Sequence, residues 1–148
     1  MDMFSVFDIS AAGMNLERVR LDVAAVNLAN AHTTQAPDGQ VFRPLRVVAR
    51  PGTAQAFDVM LAGMRMATRV NPTQFNISVE PVNTPPRLVY EPGHPDANSK
   101  GFVAYPDINP VSEMVNLIGI TRAYEANVRA MNMAKSMALK ALEIGNGR

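Results

Sequence analysis

A chain of 148 residues with a formal net charge of +1 has no general attraction for nucleic acid or an acidic surface. It lacks cysteine, which excludes a disulfide framework and a thiolate metal site. No apolar run reaches the ~18 residues of a membrane span, and no basic segment followed by a continuous apolar one opens the chain, so a cleaved secretory signal is not expected.

The first predicted element is a long helix beginning near Asp2 or Ser5 and ending around Asn30 to His32. There the periodic apolar residues give way to Asn, His and two Thr. Two apolar seams run along it. One is Ile9, Ala12, Leu16, Val19, Val23 and Val26; the other is Phe7, Ala11, Met14, Leu21, Ala25 and Leu28. An offset of two residues places them about 200° apart. A helix packed on a single core needs one apolar stripe, so two seams predict neighbours on both sides.

Gln35 to Gly39 reads as a turn around Pro37-Asp38-Gly39. Val41 to Arg50 is strand-like about Val47 and Val48, with Pro44 pushing it towards an edge. Phe57, Met60 and Leu61 suggest a short helix closed by Gly63, and Met64 to Val70 and Phe75 to Val79 alternate as half-buried strands. From Pro81 to Pro110 the chain is dense in proline. Arg87 to Tyr90 and Phe102 to Tyr105 are short strand candidates flanking a polar loop, Glu91 to Gly101.

Asn109-Pro110 leads into a second long helix that Asn109 or Ser112 would cap and Gly145 would end. It also carries two seams: Met114, Leu117, Tyr124, Val128, Met131, Ala138 and Leu142, then Ile120, Ala123, Ala130, Ala134, Met137, Ala141 and Ile144. Residues 1–31 carry a net charge of −2 and residues 111–148 a net +2, a difference that favours pairing of the two ends only weakly. The fold class is therefore α+β: long N- and C-terminal helices that pack in a coiled-coil-like layer within a multi-chain assembly, and a small β-rich middle. The expected division is 1–34, 35–110 and 111–148.

Residues suited to catalytic or cofactor chemistry are few. Glu91, His94 and Asp96 have metal-ligand side chains, but their proline, glycine and asparagine context favours a solvated turn. No phosphate loop, nucleophile elbow or zinc spacing occurs, and no basic stripe with interleaved aromatics. An enzyme, a cofactor and a nucleic-acid partner are not expected. The methionines in the seams suit a promiscuous peptide groove or interhelical packing, and their heptad-like spacing favours packing. Asn27, Asn30 and Asn127, beside the seams, are either solvent-facing amides or register-setting hydrogen bonders.

Ala25-Val26-Asn27-Leu28-Ala29-Asn30-Ala31, followed by His32-Thr33-Thr34 and preceded by Met14, Arg18 and Asp22, resembles the N-terminal motif of the bacterial flagellar axial proteins, the rod and hook subunits. Arg122-Ala123-Tyr124-Glu125-Ala126-Asn127-Val128 is similar to their C-terminal motif. Tyr90 to Ala97, Gly101-Phe102-Val103, Glu113-Met114-Val115, Lys135-Ser136-Met137 and Ala141 to Gly145 resemble the small proximal-rod branch of that family. Val26 stands where the family often has Asn. The resemblance covers both ends and the loop before the second helix, and residues 35–80 loosely.

The resemblance implies a structural subunit of the basal-body rod, without enzymatic turnover. It would be exported through the flagellar type III apparatus and polymerised as a drive shaft around the export channel, in the periplasm. Other rod subunits and further copies of the chain would be its partners. Under this reading Leu16, Val19, Val23, Leu28, Leu117, Tyr124, Val128 and Met131 are packing residues, and Asn27, Asn30, Glu125 and Asn127 set register. The rival readings are another rod or hook protein, against which the short middle argues in the case of a hook protein, and a soluble helical export adaptor or chaperone.

Overall fold

A computed structural model of the chain describes residues 3–34, 40–51 and 75–145. Helix α1 spans Met3–Asn30 and helix α2 spans Pro110–Gly145; between them lie strands β1 (Leu45–Pro51), β2 (Phe75–Pro81), β3 (Arg87–Tyr90) and β4 (Phe102–Tyr105). The architecture is α+β, with two long terminal helices and a small middle of paired strands. The helix expected at Phe57 to Leu61 and the strand at Met64 to Val70 lie outside the described residues.

The helix ends follow from local polar chemistry. At the close of α1, the Ala31 amide reaches the Leu28 carbonyl at 3.3 Å and the Thr33 amide reaches the Asn30 carbonyl at 3.0 Å. Asn30 turns its side-chain amide back onto the Val26 carbonyl, 2.8 Å away, adding a second donor to an acceptor in the last turn of the helix. At the start of α2, Asn109 Oδ1 accepts from the backbone N–H of Val111 at 3.0 Å and of Ser112 at 3.2 Å. Asn109 is thus the N-cap, and Pro110 sits in the first turn, where its missing N–H costs nothing.

The strands form two separate pairs, β1 with β2 and β3 with β4. β1 starts at Leu45, later than the strand-like run at Val41, because Pro44 supplies no N–H to a ladder. Its carbonyl still accepts from the Val82 amide at 2.7 Å. Two residues on, Arg46 pairs with Glu80 at 3.5 Å. One step forward in β1 matches one step back in β2, so this pair is antiparallel. β3 and β4 are antiparallel with Arg87 opposite Tyr105, Leu88 opposite Ala104, Val89 opposite Val103 and Tyr90 opposite Phe102. Alternation puts Val89 and Val103 on one face and Leu88, Tyr90 and Phe102 on the other. Val103 is fully buried, whereas Leu88 and Tyr90 are more than half exposed.

The described residues fall into two compact units. One draws on Met1–Arg18, Val48–Ser78 and Arg122–Arg148; the other on Val19–Val47 and Val79–Thr121. In the second unit the core consists of Val23, Ala24, Ala31, Val103, Pro106, Ile108 and Ile120. Among the described residues of the first, the buried ones are Ser10, Glu17 and Ala134, a partly polar set.

That burial pattern revises the two-seam picture of α1. Its most buried positions are Ser10, Glu17, Val23, Ala24 and Asn27, with Ala31 just beyond the helix. Apart from Val23 and Asn27, which lie on or beside the first seam, these lie on a line midway between the two apolar seams, each seam roughly 90° away. Ile9 and Val26 on one seam and Leu21 on the other are exposed. The seams are the two shoulders of one broad face whose centre is small and polar, and the opposite side, with Asp8, Asn15, Arg18 and Asp22, faces solvent. Small residues at the centre let another backbone come close; at the shoulders Met14, Leu16, Val19 and Leu28 are half-buried.

Candidate functional site

Helix α2 has the two-sided character that α1 lacks. Leu117, Ile120, Ala123, Asn127, Val128, Met131, Ala134 and Ala138 form its covered side, a stripe at steps of mainly three and four residues. Roughly 120° or more around the helix lies a second stripe that the described residues leave open. Val115 is 65% exposed, Met133 65%, Met137 62% and Ile144 81%. Ala126 on this side is exposed as well, and a side chain built at Gly119 would meet nothing within 4 Å. Val111, Met114 and Ile118 widen the stripe at its N-terminal end. Scattered exposed apolar residues are ordinary, but a continuous helical stripe of them marks an interaction surface.

The expected packing and register residues divide between covered and open positions. Val23 is buried, and Leu16, Val19, Leu28, Leu117, Val128 and Met131 are half-buried. Tyr124 is 42% exposed. Glu125 lies on the surface and accepts from Arg129 one turn later at 3.2 Å, a helix-surface pair of small stabilising effect. Asn30 serves the end of its own helix. Asn127 lies against Gly13: a Cβ built on that glycine would fall 2.9 Å from the Asn127 amide nitrogen.

Asn27 has the most specific role. Its Nδ2 donates to the Leu45 carbonyl at 2.8 Å, and its Oδ1 accepts from the Leu45 N–H at 2.8 Å. The side-chain amide thus pairs with a backbone residue as a neighbouring strand would, tying the end of α1 to the start of β1. The junction borders a cleft of about 280 Å³ lined by Val23, Ala24, Asn27, Leu45, Glu113 and Ile120.

The polar loop Glu91 to Gly101 is knitted into the fold by its own side chains. Tyr105 donates its hydroxyl to Glu91 at 3.0 Å, Thr34 donates to Asp96 at 2.7 Å, and the Asp96 N–H donates to His94 Nδ1 at 3.1 Å. Among the described residues no group of three or more His, Asp or Glu side chains could hold a metal ion. The hydrogen bond to the Glu91 carboxylate, with desolvation and the charge of Glu91, pushes the Tyr105 hydroxyl above its ordinary pKa of 10.0. Asn98, which composition marks only as a loop residue, organises the turn: its Oδ1 accepts from the amides of Lys100 at 2.9 Å and Phe102 at 3.0 Å. Gly101 takes φ +79°, under the Tyr90 ring.

No helix among the described residues is long and apolar enough to cross a membrane. Residues 99–144, which hold β4 and nearly all of α2, match the family described as flagellar basal body rod FlgEFG protein C-terminal. Over 98% of its length the chain is 39% identical to 99% of the flagellar basal-body rod protein FlgC of Escherichia coli. It is 38% identical to that of Bacillus subtilis over 98% of this chain and 99% of the relative. For Borreliella burgdorferi the figures are 35%, 99% and 100%. The chain belongs to the FlgC family. The match to these FlgC proteins runs through both helices and the strands between them, so the open stripe of α2 and the Asn27 junction both lie within the shared sequence. The family places the chain among structural proteins of the flagellar basal body. Gly13 and Asn98 escape a reading of apolar periodicity; the signals for them are a glycine inside an otherwise strong helix and an Asn two residues before a loop-closing Gly.

Proposed function

We propose that the chain is a structural subunit of the flagellar basal-body rod that polymerises through its terminal helices. The exposed stripe of α2 carries this reading: Val115, Met133, Met137 and Ile144 line a side of the helix that none of the described residues covers. Burying each large apolar side chain against a neighbour contributes about 1.5–3 kcal/mol, so four of them repeated at each contact supply a cooperative, non-covalent shaft. The terminal helices form the inner, coiled-coil-like layer around the export channel and the β-rich middle lies outside it. Leu16, Val23, Leu28, Tyr124, Val128 and Met131 hold that layer together, and torque passes through packed apolar surface without turnover. The partners are other rod subunits and copies of the chain, after export through the flagellar type III apparatus into the periplasmic part of the rod. The test is electron microscopy of basal bodies from cells lacking the chain. Membrane rings without a completed rod, restored by the intact gene, support the reading; complete, rotating flagella overturn it.

A further inference from the structure

In the unit drawn from Met1–Arg18, Val48–Ser78 and Arg122–Arg148, one contact is tighter than side-chain packing requires. The carboxamide of Asn127 on α2 lies directly on the backbone of Gly13 on α1. A Cβ at Gly13 would sit 2.9 Å from Asn127 Nδ2, a distance real Cβ atoms scarcely show, and 3.1 Å from Cγ and Oδ1, tighter than most real contacts. Gly13 has no backbone requirement for glycine, since Gly101 is the one glycine with a positive φ among the described residues. In a helix interior, glycine is the least favourable residue after proline. Space is what the glycine provides, and Asn127 fills it.

The neighbouring positions fit a close approach. Ser10 and Glu17, one turn to either side of Gly13, are among the most buried residues of α1, and Ala134 is buried on α2 two turns beyond Asn127. We propose that Gly13 and Asn127 form a notch and key that fixes the stagger between the chain's own two terminal helices. Asn127 thereby sets register within a subunit, and the helix pair docks onto its neighbours already aligned. Only that last step rests on the rod reading; the notch itself does not.

The experiment uses the full-length chain and its freedom from cysteine. Gly13→Ala is expected to change the melting temperature less favourably in the wild-type protein than in the Asn127→Ala background, because the added methyl displaces the key in one case and only favours helix in the other. Equal changes in the two backgrounds would overturn the proposal. A second measurement covers the case in which Gly13→Ala fails to fold. The double variant Gly13→Cys, Asn127→Cys, mildly oxidised, is expected to form a disulfide within one chain, both as purified protein and in isolated basal bodies. Disulfide-linked dimers, or no crosslink at all, would show that Asn127 does not meet its own Gly13. Failure of the rod reading appears elsewhere, as normal flagella in the deletion strain.

Discussion

Replacing Asn27 by Ala removes both hydrogen bonds that join α1 to β1 at once. Asn27 is 4% exposed, and Leu45 keeps an N–H and a C=O that lose their partners at 2.8 Å each. Leaving a buried backbone group unpaired costs about 1–3 kcal/mol. Leu45 is only half-buried, so water recovers part of this, and the pair together should cost roughly 2–4 kcal/mol. For a chain of this size that corresponds to a fall in melting temperature of about 6–12 °C, at roughly 3 °C per kcal/mol. Asn27→Asp keeps the acceptor for the Leu45 N–H but sets a second carboxylate oxygen against the Leu45 carbonyl. It is expected to destabilise at least as much at neutral pH. Thermal unfolding followed by circular dichroism gives the size of the effect, and amide exchange gives its place: the Leu45 and Val82 amides should lose protection together, since Val82 bonds to the adjacent Pro44 carbonyl. A shift below about 2 °C, which is under 1 kcal/mol, with Leu45 still protected, would refute the reasoning.

Two further outcomes follow from the loop. Gly101→Val forces a β-branched residue to φ +79° with its Cβ 2.9 Å from the Tyr90 ring and 3.2 Å from Pro92 Cβ. Left-handed backbone costs roughly 1–2 kcal/mol and the overlap about 1–3 kcal/mol more, so urea unfolding should shift by a few kcal/mol, with exchange accelerated across β3 and β4. Tyr105 is held protonated by Glu91, its pKa raised above 10.0 in the folded chain. A raised folded value contributes stability that is fully present below the ordinary pKa of ~10 and is lost as pH rises through the folded value. Melting temperatures measured from neutral pH to above pH ~10 should therefore fall more steeply for the wild type than for Tyr105→Phe. Parallel curves would contradict the Tyr105–Glu91 bond.

Much of the fold is legible in the sequence because its punctuation is local. Asn109-Pro110 starts α2, the Asn30 region ends α1, and Arg87 to Tyr90 and Phe102 to Tyr105 pair as strands across a polar loop. What periodicity misplaces is the buried line of α1. Counting apolar residues finds the shoulders and passes over Ser10, Glu17 and Asn27, whose burial depends on partners distant in sequence. Asn27 illustrates this: its partner is 18 residues away on β1, which no helical pattern encodes. For the candidate site, the sequence expects a second apolar side on α2, and the burial pattern divides the residues differently. Val128 and Met131 turn to the covered side, whereas Met133 and Val115, in neither sequence-derived seam, are open. A charge at Val128 would therefore disturb the chain's own packing as well as assembly, and a clean test of assembly needs the open stripe.

That test is the double variant Met133→Asp, Met137→Asp expressed in place of the wild-type chain. Both side chains are more than 60% exposed, so the purified variant should keep the melting temperature and helix content of the wild type. In a dry helix–helix interface an unpaired carboxylate is strongly unfavourable. The expected result is a normally folded protein and, by electron microscopy of basal bodies, no completed rod. Normal rods and motile cells carrying this variant would contradict it.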